Sequence, residues 1–252
     1  MCFVNHVTHP KVESIVLVVH HIPTTQARLG QTVGQLFLII GKLLPTIAVG
    51  GESIKYAAFI APALLATSAM NGAIYDSTMN VYFKLNHDRI YHGMLATSMG
   101  PLDVALGEIG WALLRGFSYA CAFMAVIAPL GLVESVWGLL AIPAAVLIAF
   151  GFAACGMAVT SYMKSFQQLE IVTVVLLPMF LFSGAFYPIS VFPEWLQFTV
   201  NLLPLTHAIN LVRGLCLGNL EWALLGHAFY FVVMIVIGLF FTTKRLNALF
   251  MK

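Results

Sequence analysis

Residues 135–163 read SVWGLLAIPAAVLIAFGFAACGMAVTSYM, an unbroken stretch without one charged side chain. A bilayer core is crossed by about 20 consecutive apolar residues in a helix. This stretch is therefore long enough to span a membrane. Working outward, Tyr56–Tyr75, Gly116–Val133, Ile171–Pro193 and Trp222–Thr243 are equally free of charge. Val33–Val49 is a shorter sixth candidate that carries Lys42 and Pro45. A lysine inside a span is costly unless it reaches water or a partner.

Composition agrees with the spans. The chain has 252 residues, of which 60% are apolar and 9% are charged. Soluble domains carry about 25% charged residues, so there are too few charges here to cover a soluble surface. Disorder has the opposite signature, low hydrophobicity with high charge. A net charge of +2 without basic clusters gives no phosphate-tracking surface, so nucleic acid is not an expected partner. Cys2, Cys121, Cys155 and Cys216 do not form a secreted disulfide framework, because two of them sit inside apolar runs. Ile15–Val19 is too short to cross and lacks the pattern of a secretory signal. The expected fold is an all-α integral membrane protein of six transmembrane helices. Residues 1–32 form an N-terminal segment and residues 33–252 the transmembrane domain.

Lysine and arginine in short loops mark the cytoplasmic side. Six spans place Lys11, Arg28, Lys84, Arg89, Lys164, Lys244, Arg245 and Lys252 on one side. Glu52, Lys55, Glu134, Glu194, Arg213 and Glu221 fall on the other. Both termini are thereby expected in the cytoplasm, with the chain multi-pass.

Two connections are long enough for structure of their own. In the first, from about Asp76 to Asp103, His87, Ile90, Tyr91, Met94 and Leu95 share one helical face, while Asp88, Arg89 and His92 share the other. Such a helix either lies on the membrane surface or docks a soluble partner. In the second, from about Pro188 to Glu221, a helix start at Ser190–Glu194 is followed by Pro204 and a second short helix, Leu205–Leu217, ending at Gly218-Asn219. The pair reads as a re-entrant or interfacial hairpin, or as a loop with aromatic anchors.

Catalytic motifs are missing. Gly41-Lys42 is the nearest approach to a P-loop, but Leu36 and Leu43 occupy the first-glycine and hydroxyl positions. No His-Glu-x-x-His, Cys-x-x-Cys or Gly-x-Ser-x-Gly occurs, and His20-His21 has no clustered third ligand. Neither an enzyme nor a metal site is expected. The ionisable residues near membrane depth are Glu108 and Arg115, seven apart on one helical face with Trp111 between them. They are a wet overhang of a long helix, a gating pair, or partners of another helix.

Three stretches then resemble the ABC-2 type exporter permeases, in particular the nodulation (NodJ-like) and drug-resistance branch. The first is Ala96-Thr97-Ser98-Met99-Gly100-Pro101-Leu102-Asp103, continuing through Glu108 and Trp111 to Arg115-Gly116. The second is Leu177-Pro178-Met179-Phe180-Leu181-Phe182-Ser183-Gly184-Ala185-Phe186-Tyr187-Pro188, followed by Phe192-Pro193-Glu194-Trp195. The third is Leu203-Pro204-Leu205-Thr206-His207-Ala208, followed by Leu211-Val212-Arg213-Gly214 and Gly218. The resemblance covers the chain from about Tyr56 to its C-terminus.

That resemblance implies an ABC-2 type transmembrane domain acting as a half-transporter. Two permease subunits pair, as a homodimer or a heterodimer, and separate ATPase subunits hold ATP and Mg. This chain itself binds no cofactor. The cytoplasmic segment would be a coupling helix meeting the ATPase through Asp88, Arg89, Ile90, Tyr91 and Leu95. The outer hairpin would be a re-entrant element at the exit. Glu108, Trp111, Arg115, Phe180, Phe182 and Phe186 are candidates for the substrate pathway or its gate, and the cargo would be a lipid-like, glycolipid or drug molecule exported by alternating access. The alternatives are a proton-coupled secondary efflux transporter with Glu108 titrating, which usually shows inverted repeats not seen here, and a non-transporting membrane scaffold.

Overall fold

The computed structural model describes residues 46–49, 52–86, 90–95, 100–133, 135–163 and 165–250. Thr46–Val49 (β1) and Glu52–Lys55 (β2) pair antiparallel, with Thr46 opposite Lys55 and Val49 opposite Glu52. The end of the expected Val33–Val49 span is thus a strand. Thr46, Ile47 and Val49 are β-branched, and Gly50-Gly51 between the strands is the residue pair that short hairpins favour. Residues 33–45 lie outside the described residues.

From Tyr56 onward the described chain is helical. Helix α1, Tyr56–Tyr75, has the bounds that its charge-free run predicts. It does not stop there. A π-helical turn, Asp76–Asn80, leads into α2, Val81–Asn86. The apolar span is Tyr56–Leu85, and the first connection is much shorter than polarity alone suggests. Hydroxyls explain part of this. Ser77 and Thr78 both donate to the Ile74 carbonyl, at 3.3 and 2.6 Å, so the polar side chains satisfy themselves within the helix. A short helix α3, Ile90–Leu95, follows.

Helix α4, Pro101–Ile127, begins fifteen residues before the expected Gly116. Pro101 occupies the first helical position, where its missing N–H costs nothing. The Asp103 carboxylate accepts the Gly100 N–H at 2.9 Å and fixes the start. After a 3-10 turn at Val136–Leu140, α5 covers Ala141–Tyr162. The expected Ile171–Pro193 span is shorter: α6 is Gln167–Phe182. The apolar run continues past it, but Gly184 takes a left-handed φ of 72° and Pro188 follows, so the helix ends. Helices α7, Glu194–Asn201, and α8, Pro204–Leu217, follow the bounds read from the sequence and meet at an angle of 83°. Gly218 closes α8 with φ 82°. Helix α9, Trp222–Phe250, ends the described chain.

Among the described residues, four helical segments are long and apolar enough to cross a membrane, or five if the α7–α8 pair is one broken span. Six spans are therefore an expectation that these residues bear out only in part.

Helix α5 is the hub. Its buried face is built of Ala144, Ala145, Ala149, Gly151, Ala153, Ala154 and Met157, and small residues let neighbouring helices approach closely. A side chain at Gly156 would run into Ser77 of the π turn, and one at Gly238 of α9 would sit 2.6 Å from the Ala154 carbonyl carbon. Gly151 lies beside Phe231, and Arg245 donates to the Ser161 carbonyl at 3.4 Å, so α9 runs parallel to α5. Helix α4 packs against both.

Gly238 is the closest of these approaches to backbone. Gly238→Ala should lower the stability of the detergent-solubilised protein by about 1–3 kcal/mol through overpacking. Gly226→Ala, which meets nothing within 4 Å, should leave it unchanged or raise it slightly. Thermal unfolding of the two variants checks this, and equal midpoints would contradict it.

Candidate functional site

Antiparallel packing of the 76–86 segment on α4 brings four charges into two rungs. The Arg115 guanidinium donates to the Asp76 carboxylate at 2.8 Å. The Lys84 ammonium donates to both oxygens of Glu108, at 2.8 and 2.7 Å. The carboxylates are the protected partners: the Asp76 and Glu108 side chains are 8% and 14% exposed, against 37% and 34% for Arg115 and Lys84. Asn80 donates to the Asp76 oxygen at 3.0 Å as well. Charges at this depth are tolerated when they are paired and the long cations reach outward.

Glu108 and Arg115 are thus partners of another helix, and neither forms the free overhang. Trp111, exposed, lies between them with its ring centroid 5.9 Å from the Arg115 guanidinium carbon, a cation–π contact. Asp76 and Lys84 were not legible as site residues because polarity placed them in a connection. The signal was nonetheless present: an acid and a base eight apart face a base and an acid seven apart in reversed order.

Of the expected coupling residues, Asp88 and Arg89 lie outside the described residues. Ile90 and Leu95 belong to α3. Tyr91 is fully buried at 0% exposure, so its ring faces the protein interior and is unavailable to an external partner. Burial, and then the nearby Glu108 carboxylate, hold its phenol above the ordinary range and keep it protonated. Its hydroxyl makes no well-formed hydrogen bond among the described residues, although the Glu108 carboxylate lies nearby. Met94 packs on the core beside it, as the amphipathic spacing predicts.

The aromatic candidates meet at the turn after α6. Phe180 packs edge-to-face on Phe186 with centroids 5.2 Å apart, and Phe182 lies 6.0 Å from Phe192. Tyr187, which sequence reasoning left out, links the two pairs through Phe186 and Phe192, each 6.2 Å away. Half-buried Arg213 of α8 donates to the Gly184 carbonyl at 3.1 Å and ties α8 to this turn.

A second polar contact joins α8 to α9. The Nδ1 atoms of His207 and His227 are 2.7 Å apart, so one ring donates and the other accepts. Tyr230 stacks on His207 with centroids 4.3 Å apart. Thr206 donates to the Val200 carbonyl at 2.8 Å across the α7–α8 bend. Among the described residues, no group of three or more histidine, cysteine, aspartate or glutamate side chains is placed to hold a metal ion.

Asp76→Ala leaves Arg115 without its carboxylate and should destabilise the fold by about 3 kcal/mol. The exchange Asp76→Arg with Arg115→Asp should recover most of that loss. Thermal unfolding of the two single variants and the exchanged pair tests it. An exchanged pair no better than either single variant would mean that the rung is not paired in the membrane.

The family of ABC-2 type transporters matches residues 16–217, beginning well before the stretch at Tyr56 from which the resemblance is visible by eye. Nodulation protein J of Rhizobium leguminosarum bv. trifolii is 32% identical over 200 residues, 79% of this chain and 76% of that protein. Nodulation protein J of Rhizobium meliloti (strain 1021) is 30% identical over 67% of this chain and 64% of the relative. That of Sinorhizobium fredii (strain NBRC 101917 / NGR234) is 33% identical over 64% of this chain and 62% of the relative. No solved structure matches.

Proposed function

Because this chain belongs to the ABC-2 type transporter family, we propose that it is the transmembrane permease subunit of an ATP-binding cassette exporter. A separate ATPase subunit supplies ATP hydrolysis and holds ATP and Mg. A second permease subunit completes the passage. The cargo is amphipathic, of the lipid-like, glycolipid or drug type, and the complex sits in the bacterial inner membrane with both termini of this chain in the cytoplasm.

One observation carries the coupling mechanism. Tyr91 of α3 is buried next to Glu108, and Glu108 is clamped by Lys84. A push on residues 88–95 therefore has a rigid path, through the Tyr91 ring, into both helices of the ladder. Packed elements of this kind switch between discrete arrangements and do not deform smoothly. In this reading Asp88 and Arg89 meet the ATPase, while Tyr91 passes the movement inward. Trp111 and Arg115 line the flank of α4 that moves. Phe180, Phe182 and Phe186 form the apolar constriction near the far end, stiffened by Tyr187 and Phe192.

The engagement of Glu108 by Lys84 weighs against a proton-driven transporter that needs this carboxylate free. Energy source separates the two. Export by cells carrying the complete complex should stop on ATP depletion and survive a protonophore, and the reverse result would reject the present reading.

In the assembled complex, Arg89→Ala should lower transport-coupled ATP hydrolysis severalfold without changing the amount of permease in the membrane. Tyr91→Phe, which keeps the ring, should leave it near the parent value. Unchanged hydrolysis in Arg89→Ala, measured with the ATPase present in excess, would remove residues 88–95 from the docking role.

A further inference from the structure

The two ends of the helical bundle differ in chemistry, and the end carrying Lys84 also carries a groove between α4 and α9. Leu102, Leu239, Phe240, Thr243, Lys244 and Asn247 line it, and its volume is about 490 Å³. Its walls divide cleanly. Leu102, Leu239 and Phe240 are apolar, while Thr243, Lys244 and Asn247 are polar. Lys244 is exposed and lies 5.9 Å above the Phe240 ring. No carboxylate among the described residues pairs with it, in contrast to Lys84. Its neighbour Arg245 is engaged elsewhere, over Tyr162 and on the Ser161 carbonyl. The Thr243 hydroxyl is buried behind the groove wall and has no hydrogen-bond partner among the described residues.

We propose that this groove binds one anionic phospholipid of the surrounding leaflet, its phosphate held by Lys244 and Asn247 and one acyl chain laid along Leu102, Leu239 and Phe240. The cation, the amide donor and the apolar wall match the three parts of such a lipid in order. An uncompensated lysine at the edge of a membrane span attracts an anionic headgroup, and Phe240 orients the ammonium toward the mouth. The unpartnered Thr243 hydroxyl supplies a further donor once its side chain turns toward the headgroup. The site bridges the start of α4 to the end of α9, so an occupant would hold these two helices together whatever cargo the chain moves.

The full chain, purified in detergent and stripped of lipid, is titrated by native mass spectrometry with dioleoyl phosphatidylglycerol, dioleoyl phosphatidylcholine or glycerol 1-phosphate. One phosphatidylglycerol should bind about fivefold more tightly than phosphatidylcholine, the preference that one membrane-proximal lysine confers. Lys244→Gln should abolish that preference, and Thr243→Val should weaken phosphatidylglycerol by about threefold through the lost donor. Lys55→Gln removes the same charge far along the sequence and should change nothing. Equal binding of the two phospholipids by the parent chain, or equal losses in Lys55→Gln and Lys244→Gln, overturns the proposal. Displacement of phosphatidylglycerol by an equal concentration of glycerol 1-phosphate also overturns it, since the occupant would then be a free phosphate ester.

Discussion

Four charges placed among apolar helices impose the strongest constraint on this protein. Neither Asp76 nor Glu108 has enough exposure to be hydrated, so each requires its cation across the helix pair. Only one relative position of the 76–86 segment and α4 satisfies both rungs together. Sliding the helices by one turn would separate both pairs and leave four uncompensated charges. Apolar packing in a membrane has little such selectivity, because lipid tails compete equally well for an apolar side chain. The ladder therefore sets the register, and the small residues of α5 set how closely the neighbouring helices stack upon it.

The far end of the bundle is held by a different chemistry. There the chain bends between α7 and α8, and the bend needs backbone polar groups to find partners away from water. Thr206 serves the bend itself by reaching the Val200 carbonyl, while along α8 Arg213 reaches Gly184 and the Ser135 N–H donates to the Cys216 carbonyl at 3.2 Å. Aromatic rings from Phe180 to Phe192 fill the adjoining turn. Trp195 and Phe198 of α7, and Leu202 just after it, are exposed. One end is thus locked by ion pairs between helices, and the other by hydrogen bonds to backbone carbonyls, one of them from the Arg213 guanidinium, and by rings.

Much of this was readable from residue order. The charge-free runs at Tyr56 and Trp222 begin at their helices, the run at Ser135 begins one residue before the 3-10 turn that leads into α5, and Pro204 and Gly218 mark the second hairpin helix as expected. The failures share a cause. Hydropathy treats a polar residue as a boundary and an apolar one as a continuation. It ended the first span at Tyr75, where hydroxyl-to-carbonyl bonds carry the helical path onward through the π turn into α2. It started α4 at Gly116, because Glu108 and Arg115 look wet until their partners are known. It extended α6 past Phe182, because a positive φ at Gly184 leaves no trace in polarity. Pair partners across helices were the least legible feature, since they depend on packing direction, and Tyr91 could be placed on a face but not assigned to the interior.

The π turn at Asp76–Asn80 sets the angle at which the downstream cation leaves the helix. A π turn accommodates one more residue than the α-helical turn it replaces. The surplus residue rotates everything downstream, which is how Lys84 comes to face the same neighbour as Asp76. Relaxing this stretch to ordinary helix with every residue kept would swing the ammonium away by roughly the 100° that separates successive side chains. Deleting one residue together with the π turn would instead leave acid and base seven apart, about two α-helical turns, and still on one face. What the fold has to keep is the facing of acid and base, which the π turn supplies at a spacing of eight.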